Sequence, residues 1–322
     1  MREHAPHGPE KNHHSHDHTH GSIDPSLIAT EQGFWAIQRS CAVLVLTAIL
    51  QMIVVYFSGS IALLADTIHN IGDAATAIPL GIAFSLSKKK PTKRFTYGYG
   101  RVEDLAGVII VFMILASAVV AGYESIDRFF HPQKMTHLGA VIFASIIGFL
   151  GNEAVAIFRI KVGKEIGSAA LVADGYHARI DGFTSLAVLA GTLGVWMGYP
   201  LADPMTGLLI TVVILKIVWD SAKLVFTRLL DGVEPEIIDE IRHAVTHVPQ
   251  VHEVTEVRAR WIGHRIHAEL NIAIASDLSV EQAHQIAQEV RRELLDHLRY
   301  LSNAIIHVDP LNASGETYHP HS

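Results

Sequence analysis

Apolar runs of about 20 residues, the length that crosses the hydrocarbon core of a bilayer, recur six times in the first two-thirds of the chain, at roughly 35–57, 61–86, 104–123, 138–158, 170–198 and 205–226. The second and fifth runs are the polar ones. Past Asp231 the pattern changes character. Ile237, Ile238, Ile241 and Val245 recur at helical spacing, and 251–260 reads as an edge-like strand. Ile266, Ala268, Leu270, Ile272 and Ile274 alternate strictly, which predicts a strand with one buried face and with His267, Glu269 and Asn271 on the other. Ser279 followed by Gln282 is a capping box opening a helix with a stripe through Ala283, Ile286, Ala287, Val290, Leu294 and Leu298. A last strand, 304–309, ends at Pro310.

The predicted architecture is therefore an all-α bundle of six transmembrane helices followed by an α+β domain of order α-β-β-α-β. Its parts are a His-rich tail at 1–31, a membrane domain at 32–231, a C-terminal domain at 232–311 and a short tail at 312–322. Composition agrees: 49% of the residues are hydrophobic, and the charges crowd into the tails, certain loops and the last quarter. The N-terminus is polar rather than a basic segment leading into an apolar one, so no cleaved leader is expected.

Loop charge sets the orientation. Lys88, Lys89, Lys90, Lys93, Arg94 and Arg101 follow the second span, and Arg159, Lys161 and Lys164 follow the fourth. The opposite loops hold little beyond Arg128 and Lys134. An excess of Lys and Arg on one side predicts that both termini are cytoplasmic. The single cysteine, Cys41, excludes an internal disulfide and a thiolate-rich metal site. The net charge of −7 comes with no continuous basic surface, so no nucleic-acid partner is expected.

Two copies of one pattern carry the chemistry. His69 with Asp73, and His177 with Asp181, are each His-x-x-x-Asp inside an apolar run. Residues four apart share a helix face, so each pair offers an imidazole nitrogen and a carboxylate to one point. Two such helices facing each other supply a tetrahedral N2O2 set suited to a divalent ion of the zinc type. Two carboxylates deep in a bilayer cannot stay ionised and unpaired. A divalent cation neutralises them, and protons replace it on the same ligands when it leaves. Asp66 and Asp174 lie within about a turn, placed to shape an entry path or to pair with a cation. Arg179 falls between two ligands and should point away, towards Glu153 or Asp66. Asn152 with Glu153, and Lys216 with Asp220, suit interhelical hydrogen bonding.

The six spans, the paired motifs in the second and fifth and the terminal α+β domain resemble the cation diffusion facilitator family. The stretches 63–73 (LLADTIHNIGD) and 173–181 (ADGYHARID) are the most specific parts. The resemblance implies proton-coupled export of a divalent metal, with Zn2+ as substrate and protons as counter-substrate, by a homodimer in a bacterial inner membrane. It implies His69, Asp73, His177 and Asp181 as the transport ligands. Co2+, Fe2+, Ni2+ and Mn2+ stand as alternative substrates, and an intramembrane metalloenzyme or a metal sensor as alternative classes. No His-Glu-x-x-His pattern is present to favour the enzyme, so the chain is read as no enzyme.

Other family positions carry over unevenly. The loop 94–100 lacks the His and Asp that give some relatives an additional site. Arg101 and Asp231 match the family's salt bridge between the third and sixth helices. His307 and Asp309, two apart on a strand, resemble regulatory metal ligands, as does His284. His267 and Glu269 are expected to complete that cluster from the neighbouring strand, where Thr255 replaces an upstream histidine and His252 lies nearby. Its expected ligand is Zn2+, and its expected task is to tighten the dimer. His4, His7, His13, His14, His16, His18 and His20, with His319 and His321, form tails that lack the apolar content to fold and suit weak metal collection.

Overall fold

The computed structural model describes residues 25–58, 77–131, 137–199 and 201–313. Among the described residues six helices come first: α1 (Pro25–Ser58), α2 (Ala77–Ser87), α3 (Arg101–Phe130), α4 (Leu138–Ile166), α5 (Ala169–Trp196) and α6 (Ala202–Leu229). A smaller unit follows: α7 (Pro235–Val245), β1 (Glu253–Ile262), β2 (Arg265–Ile274), α8 (Val280–His297) and β3 (Leu301–Pro310). His69, Asp73 and Asp66, with most of the apolar run 61–86, lie outside the described residues, as do the histidines of both tails.

Ala29–Ser58, Arg101–Phe130 and Leu138–Ile166 are by length and composition long and apolar enough to cross a membrane. The other three helices pack among them. The bundle is built small-side-in: on α1 the residues Ala36, Ser40, Thr47 and Gln51 are buried, while Leu46, Ile49, Ile53 and Phe57 are exposed. That is the arrangement expected where lipid is the solvent, because large apolar chains can face it and close packing or polar contacts hold helices together. Likewise Leu209, Val212 and Trp219 lie on the outer face of α6.

Glycines set the α4–α5 contact. A Cβ on Gly175 would stand 2.9 Å from the backbone nitrogen of Ile160, and one on Gly163 at the same distance from that of Val172. The two helices form a hairpin turned by Gly167, in the left-handed region at φ 74°, and by Ser168, whose hydroxyl accepts from the Leu171 N–H.

Helices are longer than the apolar runs, because backbone hydrogen bonding continues beyond the last lipid-facing residue. Arg128 therefore belongs to α3, and Arg159, expected as a loop charge, belongs to α4 and is 1% exposed. Lys216 and Asp220, expected as interhelical glue, both lie on the exposed side of α6.

The C-terminal unit follows the expected α-β-β-α-β order. β1 and β2 pair antiparallel, and β2 and β3 pair parallel. Ile266, Ala268, Leu270, Ile272 and Ile274 are all buried in a core shared with Ile241, Val245, Ile286, Val290 and Leu294 from the helical layer. The capping box at Ser279 and Gln282 is present.

The β1–β2 hairpin plugs into the bundle. At its tip Gly263, at φ 63°, donates its N–H to Asp104 Oδ2 at 3.2 Å. His264 lies between Glu103 Oε2 (2.7 Å) and Thr30 Oγ1 (3.1 Å), and all three side chains are buried. On the other side of the joint, Arg228 at the end of α6 stacks over Trp261 at 3.9 Å and pairs with Glu234, which accepts from the Trp261 indole.

Candidate functional site

α5 carries the described half of the site. Asp174, His177 and Asp181 rise along it at spacings of three and four, which keeps them on adjoining positions of one face. His177 is 2% exposed and Asp181 is half-buried. Asp181 stands twelve residues into the helix, about 18 Å from its start at 1.5 Å per residue, and thus at mid-bundle. Arg179, between the two, turns away as expected: its Nη2 lies 2.8 Å and its Nε 3.2 Å from the two carboxylate oxygens of Glu153. Such bidentate pairing leaves the guanidinium committed to α4.

The two ends of this site differ. Towards the C-terminal domain, about two turns below Asp181, Asp174 is held in an ion pair with Arg159, 2.9 Å from Nη1 to Oδ2. Arg159 Nε also donates to Ser40 of α1 at 2.8 Å. Three helices are thus tied together under His177, and Asp174 has the cationic partner that one reading of the sequence assigned it. In the opposite direction a cavity of about 310 Å3 runs from Asp181 and Thr184 past Ser117 to Glu124, Arg128 and Asp203. Arg128 there lies 3.7 Å from Glu124 and 3.4 Å from Asp203. Among the described residues, then, a cavity reaches from Asp181 towards Asp203 on one side, and an ion pair ties α4 to α5 on the other.

Arg101 and Asp231 are in contact, joining α3 to the chain just past α6, and Arg101 also donates to the Arg228 carbonyl at 3.3 Å. Asp231 sits at φ 62°, a left-handed position that aspartate tolerates better than most residues.

The expected cluster on the sheet does not assemble. His307 and Asp309 share the open face and touch, 2.9 Å from Nε2 to Oδ1. Parallel pairing sets His307 beside Asn271 and puts His267 beside Asn303. Four residues of strand, about 13 Å, separate the two histidines. Glu269 pairs with Arg260 at 3.8 Å. His267 instead lies by the Tyr97 ring at 6.3 Å, and burial together with Arg260 and Arg265 holds its imidazole below the ordinary range. His284 is on α8, in the helical layer, with its ring 2.9 Å from the Gln288 amide. Sequence spacing showed which strand face each residue occupies; the register that separates them is set by the parallel pairing.

Among the groupings that escaped the sequence reading are Arg159 with Asp174, Glu103 with His264, and Arg128 with Glu124 and Asp203. An available signal was the presence of Glu103, Glu124 and Arg159 inside otherwise apolar helices.

Helices packed small-side-in, a buried histidine and a half-buried carboxylate at mid-bundle, and an α+β unit docked at one end define a multi-span membrane protein with ionisable groups inside its bundle. Residues 37–230 match the family model described as cation efflux transmembrane domain, and residues 233–311 match the one described as cation efflux protein, cytoplasmic domain. The chain belongs to the cation efflux, or cation diffusion facilitator, family. It is 52% identical over 297 residues to a protein of Mycobacterium tuberculosis named a probable cation efflux system protein, covering 92% of this chain and 89% of the other. It is 27% identical to the manganese efflux system protein MneP of Bacillus subtilis, covering 77% and 86%. Among solved structures, a MamM CTD variant in a nickel form matches at 27% identity, covering 24% of this chain and 98% of that one, with a TM-score of 0.24. The protein is thus a multi-pass membrane transporter for cation efflux with a cytoplasmic-type C-terminal domain.

Proposed function

We propose that the protein exports a divalent cation, Zn2+ foremost, from the cytoplasm in exchange for protons, with His69, Asp73, His177 and Asp181 as the transport ligands. The observation that carries this reading is the position of His177 and Asp181 between a closed seam on one side and a cavity on the other. A site reachable from one side at a time is what alternating access requires. With both termini taken as cytoplasmic, this reading makes the arrangement outward-facing, the state that releases metal and takes up protons. Two imidazoles in the ligand set favour zinc over manganese, which prefers oxygen donors. The manganese reading has the name of one relative in its favour.

The working unit is proposed to be a homodimer in the inner membrane, in line with the dimer-forming family to which the C-terminal domain belongs. His307 and Asp309 remain a regulatory metal pair on the open sheet face, which a second copy completes. The test is metal flux into sealed vesicles for a panel of Zn2+, Mn2+, Co2+, Fe2+ and Ni2+, with and without a pH gradient. Zinc flux that follows the proton gradient and is abolished in Asp181→Ala is expected. Retained zinc flux in that variant overturns the ligand assignment, and a preference for Mn2+ overturns the substrate.

A further inference from the structure

The helical layer of the C-terminal domain carries a histidine–carboxylate group apart from both the transport ligands and the strand pair His307 and Asp309. His247 follows α7 in a turn, and Glu293 and His297 lie on the last turns of α8, and the donor atoms of these three residues are all within 4.8 Å of one another. Glu293 and His297 are four residues apart and share a helix face. Packing of α7 on α8 brings His247 over that face. Its Nδ1 lies 3.1 Å from Glu293 Oε1, and the Nδ1 of His297 lies 3.5 Å from the same oxygen.

Those spacings are close to the ones a small cation needs. Bonds of about 2.0–2.1 Å in a tetrahedral shell put neighbouring donors about 3.4 Å apart; the two imidazole–carboxylate pairs are already within a few tenths of an ångström of that, and the two histidines, within 4.8 Å of each other, close the remainder by a turn of the His297 ring, whose Nδ1 now lies 3.0 Å from the Glu293 carbonyl. His243 stands at the rim, with its ring 5.0 Å from that of His247, which is itself 4.8 Å from that of His297. Two imidazoles and one carboxylate, with a fourth position open to water or to His243, suit a borderline cation rather than Mg2+ or Ca2+. The group is solvent-accessible, so ions reach it without any rearrangement of the core.

We propose that His247, Glu293 and His297, with His243 at the rim, bind one divalent cation of the zinc type. The location gives the binding a consequence. The chain leaves His297 and within three residues reaches Tyr300, whose hydroxyl donates to the Lys164 carbonyl at the end of α4 at 3.0 Å. His297 also lines, with Tyr300, Trp261 and Glu234, a cavity of about 550 Å3 between the two domains. A bound ion fastens α7 to α8 beside the joint through which the C-terminal domain touches the α4–α5 turn. The binding site stands whether or not the transport reading holds.

The test uses the full-length protein in detergent, stripped with chelator and dialysed to equilibrium against Co2+ and, separately, Zn2+. His247→Ala and His297→Ala are each expected to hold one equivalent less per chain than the wild type. Asp181→Ala should lose a different equivalent, so that combining it with His247→Ala is additive. Wild-type stoichiometry in both histidine variants overturns the proposal. A second measurement needs no variant: Zn2+ should slow the modification of His247 and His297 by diethyl pyrocarbonate, read by mass spectrometry, and equal rates with and without Zn2+ overturn the proposal.

Discussion

Arg159 and Asp174 form an ion pair with neither side chain more than 1% exposed, and the pair joins α4 to α5 directly beneath His177. Removing one partner of such a pair strands a charge where water cannot reach it, which costs about 3–5 kcal/mol. Replacing both by apolar residues of similar volume costs far less. Arg159→Met and Asp174→Leu should each lower the thermal unfolding temperature of the detergent-solubilised protein markedly. The double variant should recover most of that loss. Additive losses in the double variant would show that the pair is not the source of the effect.

Gly175 sets how closely α5 approaches α4 two residues before His177. A Cβ there meets the Ile160 backbone nitrogen at 2.9 Å, and backbone cannot move aside as a flexible side-chain end does. Gly175→Val should cost about 1–3 kcal/mol from overpacking and reduce metal flux, with Gly175→Ala intermediate. Flux in vesicles matched for folded protein tests this, and an unimpaired Gly175→Val would refute it.

The hairpin tip holds the two domains together through Gly263 and His264. Gly263 at φ 63° would place a Cβ 2.8 Å from the Gly100 carbonyl, so Gly263→Ala should cost about 1–3 kcal/mol in backbone strain. His264→Ala removes the partner of the buried Glu103 and should cost a similar amount, about 1–3 kcal/mol. Both variants should be cut faster than the wild type by protease in the 229–235 connection. Equal cleavage rates would mean that the tip does not secure the domain.

Glu234 makes the joint sensitive to acid. Burial pushes its carboxyl up, but the Trp261 indole hydrogen bond and the Arg228 charge outweigh that and hold it below the ordinary 4.5. A carboxyl depressed in the fold contributes stability above its unfolded value and loses it as pH falls through the folded one. The stability gap between wild type and Glu234→Gln should therefore be full above about pH 4.5 and shrink below it. Chemical unfolding of both proteins across pH 3.5–7 tests this, and a gap that stays constant over that range contradicts the assignment.

Much of this arrangement was legible along the chain. The α-β-β-α-β order, the capping box at Ser279 and the buried face from Ile266 to Ile274 follow from period and polarity, which are local properties. Arg179 with Glu153 was also foreseeable from charge placed in apolar surroundings, and Arg101 with Asp231 from the resemblance to the family. Arg159 was misplaced because a loop charge and a buried charge read alike in sequence, and only the length of α4 separates them. The sheet cluster was overestimated because alternation reports which face a residue occupies but not its height along the neighbouring strand.

Residue order by itself determined that the chain is a membrane bundle with an appended α+β unit, and that α5 presents His177 and Asp181 to one place. Hydrophobic period and helical spacing are local, and they need no knowledge of the partner. The tertiary structure alone decided which side of that place is closed, which histidines meet and where the two units lock. Those outcomes depend on contacts between residues far apart in the chain, such as Arg159 with Asp174, Glu103 with His264 and His247 with Glu293. Their distances are set by helix packing and strand register, which no single segment encodes.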